Sequence, residues 1–113
     1  MDQKPFSPRG KTSLIAAAAS APLGIQVVEE GTTGGIQVRV HNSSTTVTAF
    51  LSYGSTDTAA QSNAVIPTAG SPQNGFPLPP SIVEVLSLPA NCFVSAITAS
   101  GTASIYITRG AGI

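Results

Sequence analysis

The residues able to do chemistry are few and poorly placed for it. His41 is the only histidine and Cys92 the only cysteine, and the carboxylates are Asp2, Glu29, Glu30, Asp57 and Glu84. A Ser-His-Asp set can be assembled on paper from His41, Asp57 and any of the 14 serines. No serine, however, stands in the strand-turn-helix setting of a nucleophile elbow. Glu29 and Glu30 are adjacent, so on a strand they project to opposite faces and do not converge as an acid/base pair. A metal site needs several His, Cys or carboxylate ligands at matched spacing. With one His and one Cys, neither a metal nor a cofactor is expected, and no enzymatic activity. Cys92, just before Phe93 at the start of a strand, reads as a small buried thiol. Asn42-Ser43-Ser44 matches the glycosylation tripeptide but also reads as a turn cluster.

The elements that must position these residues are strands. In 113 residues there are 9 Val, 9 Ile and 12 Thr against 6 Leu, and β-branched side chains are stiff at χ1 and pack well on a pleated surface. Ile36, Val38 and Val40 alternate with Gln37, Arg39 and His41, which predicts a strand with one core face and one wet face. Before it, Ile25 and Val27 mark a strand ending at Glu29-Glu30, and Gly31-Thr32-Thr33-Gly34-Gly35 reads as the hairpin loop between the two. Thr46 to Tyr53 alternates again, Gly54 to Asn63 reads as polar loop, and Ala64-Val65-Ile66 as a short strand stopped by Pro67. Thr68 to Pro80 is a long irregular stretch whose prolines exclude a central strand. Ile82 to Leu88, Phe93 to Thr98 and Ala103 to Thr108 are strands, the last two joined by the hairpin signal Ala99-Ser100-Gly101-Thr102. About seven or eight short strands in one domain predict an all-β sandwich of jelly-roll or Greek-key type.

Residues 1 to 13 lack this periodicity and read as an extended arm, with the sandwich running from 14 to 113. Charge divides near the same point. Lys4, Arg9 and Lys11 against Asp2 give the first eleven residues a net +2, and the remainder carries −2. A basic arm ahead of a compact β body suits a subunit that ties down a neighbour, and Lys4, Arg9 and Lys11 are its candidate partner-binding residues. The run Leu14 to Ala19 is shorter than the roughly 7 to 15 apolar residues of a signal peptide, so none is expected. Nor does any stretch approach the ~20 apolar residues of a membrane span. The neutral total lacks the basic stripe that displaces counterions from nucleic acid. Charged residues make up 9% of the chain, far below the ~25% usual for soluble domains. Such a surface favours association. Tyr53, Phe76 and Tyr106 are candidate rim or subunit contacts, and Tyr53 and Phe76 with the prolines after them could also line a groove for a sugar or peptide.

The C-terminal residues carry a resemblance. Leu88-Pro89-Ala90-Asn91, followed by residues 94–113 with their alternating strand, Ala-Ser-Gly-Thr turn and final strand ending in Gly-x-Gly, resembles the closing hairpin of small structural proteins of tailed bacteriophages. The likeness is greatest to the cement, or decoration, proteins of phage heads. It implies a β-sandwich that oligomerises as a dimer or trimer and clamps neighbouring major capsid proteins on the outer capsid surface. A subunit of this kind is made in the host cytoplasm, binds neither nucleic acid nor membrane, and has no catalytic residues. The same residues leave two other expectations open: a receptor- or glycan-binding module such as a fibre tip or lectin, and a neck or tail component of the same virion.

Overall fold

The computed structural model describes residues 7–28 and 36–111. They form two antiparallel four-stranded sheets and one short helix. Sheet A consists of β1 (Ser7–Ala17), β8 (Ala103–Ala111), β3 (Ile36–Asn42) and β6 (Val83–Leu88), in that order. Sheet B consists of β2 (Ile25–Val28), β7 (Cys92–Thr98), β4 (Ala49–Gly54) and β5 (Phe76–Leu78), in that order. Their inner faces share one core, to which sheet A gives Ile15, Val38, Val40, Ile105 and Ile107 and sheet B gives Val28, Ala49, Leu51, Leu78, Val94 and Ala96. The chain changes sheet at every connection except β4 to β5. Four of the pairings are nested: β1 with β8, β2 with β7, β3 with β6 and β4 with β5.

The faces predicted for β3 and β8 are found. Val38, Val40, Ile105 and Ile107 are buried, while Arg39 and Tyr106 are exposed. The partners differ from expectation. β2 and β3 do not form a hairpin, and neither do β7 and β8, because in each case the two strands belong to different sheets. Every strand has an apolar face, so pairing side by side and stacking face to face satisfy the same alternation, and the pattern does not choose between them. At the β7–β8 crossing, Gly101 takes φ +76° and its carbonyl accepts a 2.7 Å hydrogen bond from the buried Thr98 hydroxyl. The loop expected at 31–35 lies outside the described residues.

Other differences are local. In β2 the register breaks between Gln26 and Val28, so Val27 and Val28 are both buried while Ile25 is exposed. The segment Ala64-Val65-Ile66 forms no strand, whereas β5 lies inside the stretch expected to be irregular. Pro77 is accommodated there because β5 is the edge of its sheet. The polar loop expected at 54–63 contains helix α1 (Asp57–Asn63). Thr56 caps it, its hydroxyl accepting from the Ala59 N–H at 3.0 Å, and Asp57 sits in the first turn, where a negative charge suits the helix dipole. A seven-residue helix is not stable alone. Here Ser52 Oγ donates to the Ala60 carbonyl (2.8 Å), Gln61 Nε2 to the Ala21 carbonyl (2.9 Å) and the Gly24 N–H to the Asp57 carbonyl (3.0 Å). Gly54 permits the close approach, since a Cβ there would stand 2.8 Å from the Ala60 nitrogen. Helix α1 thus lies over the outer face of sheet B.

The boundary drawn at residue 13 falls inside β1. Ser7 pairs with Ala111 and Pro8 with Gly110, and after an irregularity the register resumes from Thr12 with Thr108 to Ala17 with Ala103. Pro8 and Gly10 break the alternation that marks a strand, which is why the segment reads as an arm. Past β1, Ala18 bridges to Ile97 of β7, and Ser95 Oγ donates to the Pro22 carbonyl at 2.7 Å. The chain from β1 to β2 therefore ties the two sheets together along one side.

Candidate functional site

Five of the six candidate residues are described, and they fall into three places. Lys4 lies outside the described residues. Arg9 and Lys11 belong to β1, where Lys11 is exposed in the irregular stretch between Pro8 and Thr12. Tyr53 and Phe76 come together, and Tyr106 stands apart from both.

Tyr53 and Phe76 line a groove of about 180 Å³ on the side where edge strands β5 and β6 leave the sheets open. Its walls are Leu51, Tyr53 and Phe76 from sheet B and Leu86 and Leu88 from sheet A, with Asn74 and Ser87 at the polar margin. Phe76 is opposite Leu51 in register, so alternation carries both to the same face, and the end of the core leaves them in the open side.

Tyr106 is on the outer face of sheet A. There the register aligns one row across all four strands: Leu14, Tyr106, His41 and Val83. Leu14 is 48% exposed, Tyr106 41% and Val83 44%, and the His41 and Tyr106 rings stack with centroids 6.3 Å apart and planes at 27°. The next row is Thr12, Thr108, Arg39 and Val85. Among the described residues no element covers this face, since α1 packs on β4 and β7. Sequence reading isolates Tyr106 but misses Leu14 and Val83. Their position on the outer phase of each strand is the available signal, and it becomes a row only once the register is known.

His41 on the outer face of sheet A and Asp57 on the helix over sheet B are on opposite sides of the molecule, so no hydrolytic set forms around them. Among the described residues there is no group of three or more His, Cys, Asp or Glu side chains able to hold a metal ion. No described helix is long and apolar enough to cross a membrane. Asn42 is fully buried, with both donors and its acceptor engaged by backbone, so the side chain that would carry a glycan is part of the core.

Cys92 is buried, its thiol 3.7 Å from the Phe93 carbonyl, and burial pushes the thiol up to about 11. The thiolate is the reactive form, so the folded protein will resist a thiol reagent at pH 8 and take up one equivalent after unfolding. Fast labelling of the native protein would contradict this burial. The same shift lowers stability as pH rises from about 9 towards 11, because the unfolded chain loses its proton over that range before the folded one does.

No protein family, characterised protein sequence or solved structure matches the chain.

Proposed function

We propose that the chain is a jelly-roll structural subunit of a tailed-bacteriophage particle that binds the outer capsid surface and cements neighbouring major capsid proteins. The jelly-roll reading is supported by the nested pairings, β1:β8 through β4:β5, which are those of one long antiparallel ribbon rolled into two sheets. Jelly rolls serve in viral capsids and in lectins alike, so the fold alone does not decide between functions. The observation that carries the capsid reading is the difference between the two outer faces: α1 covers sheet B, and no described element covers sheet A. Together with the scarcity of charge, this is the surface of a protein that works as one copy among many.

The arm is given a supporting role on an acidic strip of the shell. Its test is the triple substitution Lys4→Gln, Arg9→Gln and Lys11→Gln, because a cut reaching residue 12 would also remove half of β1. Heads of the encoding phage, stripped of this chain, should bind the wild-type protein saturably and the substituted form at reduced occupancy. Equal occupancy of the two forms would overturn the role of the arm, and no binding of either would overturn the capsid reading.

The meeting of Tyr53 and Phe76 in one groove favours a second reading, a glycan- or receptor-binding module. A saturable hit on a glycan array that is lost in Phe76→Ala would support it over cement.

A further inference from the structure

We propose that the outer face of sheet A is the surface that lies against the shell, and that what it recognises there is an acidic protein surface with apolar side chains between its carboxylates. This rests on the capsid reading and names the face and the chemistry of its partner.

Charge is distributed unequally between the two sheets. Every Lys and Arg among the described residues belongs to a strand of sheet A: Arg9 and Lys11 in β1, Arg39 in β3 and Arg109 in β8, of which Arg109, opposite the buried Val38, has the inward phase. The strands of sheet B and helix α1 carry none. The described carboxylates are Asp57, on the helix over sheet B, and Glu84, which is opposite the buried Val40 and so has the inward phase of β6. The outer face of sheet A therefore presents Arg39 and His41 beside an apolar row with no described carboxylate among them. Arg39 is exposed on this face, and Lys11 is exposed in the irregular stretch of the edge strand beside it. A complementary partner offers carboxylates to Arg39 and apolar contact to Leu14, Tyr106 and Val83.

A second copy of the chain fits less well. Two such faces brought together would oppose cation to cation. Four strands ~4.8 Å apart and three rows ~7 Å apart, the third being Pro8, Gly110, Gln37 and Ser87, make a patch of roughly 400 Å² in plan, about half of the ~800 Å² that each partner buries in a standard interface. A contact of this size is weak alone and gains strength where many copies are held on a repeating surface.

The test is binding to empty heads of the encoding phage, with oxidative footprinting of the two tyrosines. Arg39→Glu should weaken binding about tenfold or more, and Tyr106→Ala should also weaken it, while Thr58→Ala, an exposed position on the helix over sheet B, binds as the wild type does. Raising salt from about 0.1 M to about 1 M, which shortens the screening length from ~10 Å to ~3 Å, should weaken the wild type and affect Arg39→Glu less. On heads, Tyr106 should become protected and Tyr53 stay reactive. All three substitutions are on exposed positions, and an unchanged melting temperature shows that the variants are folded. Wild-type binding that Arg39→Glu does not weaken, with Tyr106 still reactive, would overturn this face while leaving the capsid reading intact. Protection of Tyr106 in the free protein, with a dimer in sedimentation, would replace the acidic partner by a second copy. No binding of the wild type would remove the capsid reading and this inference with it.

Discussion

Asn42→Ala will lower the stability of the fold by about 2–4 kcal/mol, the cost expected when buried carbonyls lose their donor. Asn42 ends β3 and is fully buried. Its Nδ2 donates to the carbonyls of Val47 (3.0 Å) and Leu78 (2.9 Å), with Pro79 at 3.3 Å, and its Oδ1 accepts from the Ser44 N–H at 3.0 Å. One side chain thus joins sheet A to β5 of sheet B and to the crossing between β3 and β4. Alanine leaves those carbonyls without the donor and without room for full hydration. Denaturant unfolding measures the loss, and a change below about 0.5 kcal/mol, the range of ordinary surface substitutions, would contradict the bridge. Asn42→Asp sharpens the test. At neutral pH the introduced carboxylate has no hydrogen to give and faces carbonyl oxygens, so this variant will be less stable than Asn42→Ala. Burial and those carbonyls raise the introduced group's folded pKa above its unfolded value. Its relative stability is therefore regained as pH falls towards the unfolded pKa of about 4.

Ile105→Ala will cost about 2–5 kcal/mol, the range for emptying a buried aliphatic site. Ile105 is on β8, the strand between β1 and β3, and its register neighbours are Ile15 and Asn42. It is fully buried, whereas the next residue, Tyr106, is 41% exposed on the other face. Tyr106→Ala should therefore change stability by less than about 1 kcal/mol, so adjacent residues of one strand separate a core role from a surface role. Because Ile105 and Asn42 are in register contact, the two effects should not add, and a double-mutant cycle should give a coupling of at least about 0.5 kcal/mol. For a domain with a total stability of ~5–15 kcal/mol, losing both side chains approaches the whole margin.

What the sequence disclosed follows the physics of alternation. Period two is imposed wherever a strand has one apolar and one wet face, so the faces of β3 and β8 are legible residue by residue. Strand partnership is a long-range property that alternation does not encode, and both expected hairpins turned out to be crossings between the sheets. Helix α1 left its signature in Thr56-Asp57 and the two alanines after Thr58, but its period is too short to stand out and its stability comes from Ser52, Gln61 and Gly24. The candidate aromatics were legible as exposed and illegible as a set. Tyr53 and Phe76 share a groove because β4 and β5 pair, while Tyr106 belongs to a row with Leu14, His41 and Val83 that exists only once four strands are in register.

That row gives the account its physical content. On the proposed reading, a body with few charges, one sheet covered by its own helix and the other covered by no described element, with Arg39 beside the apolar row, is held against something larger. The most direct test is imaging of the intact particle of the encoding phage by cryo-electron microscopy. The account predicts two-sheet density repeated over the icosahedral surface of the head, with the face bearing Leu14, Tyr106 and Arg39 turned towards the shell. Density for this chain confined to a single vertex or to the tail, or a particle without it, would contradict the cementing role.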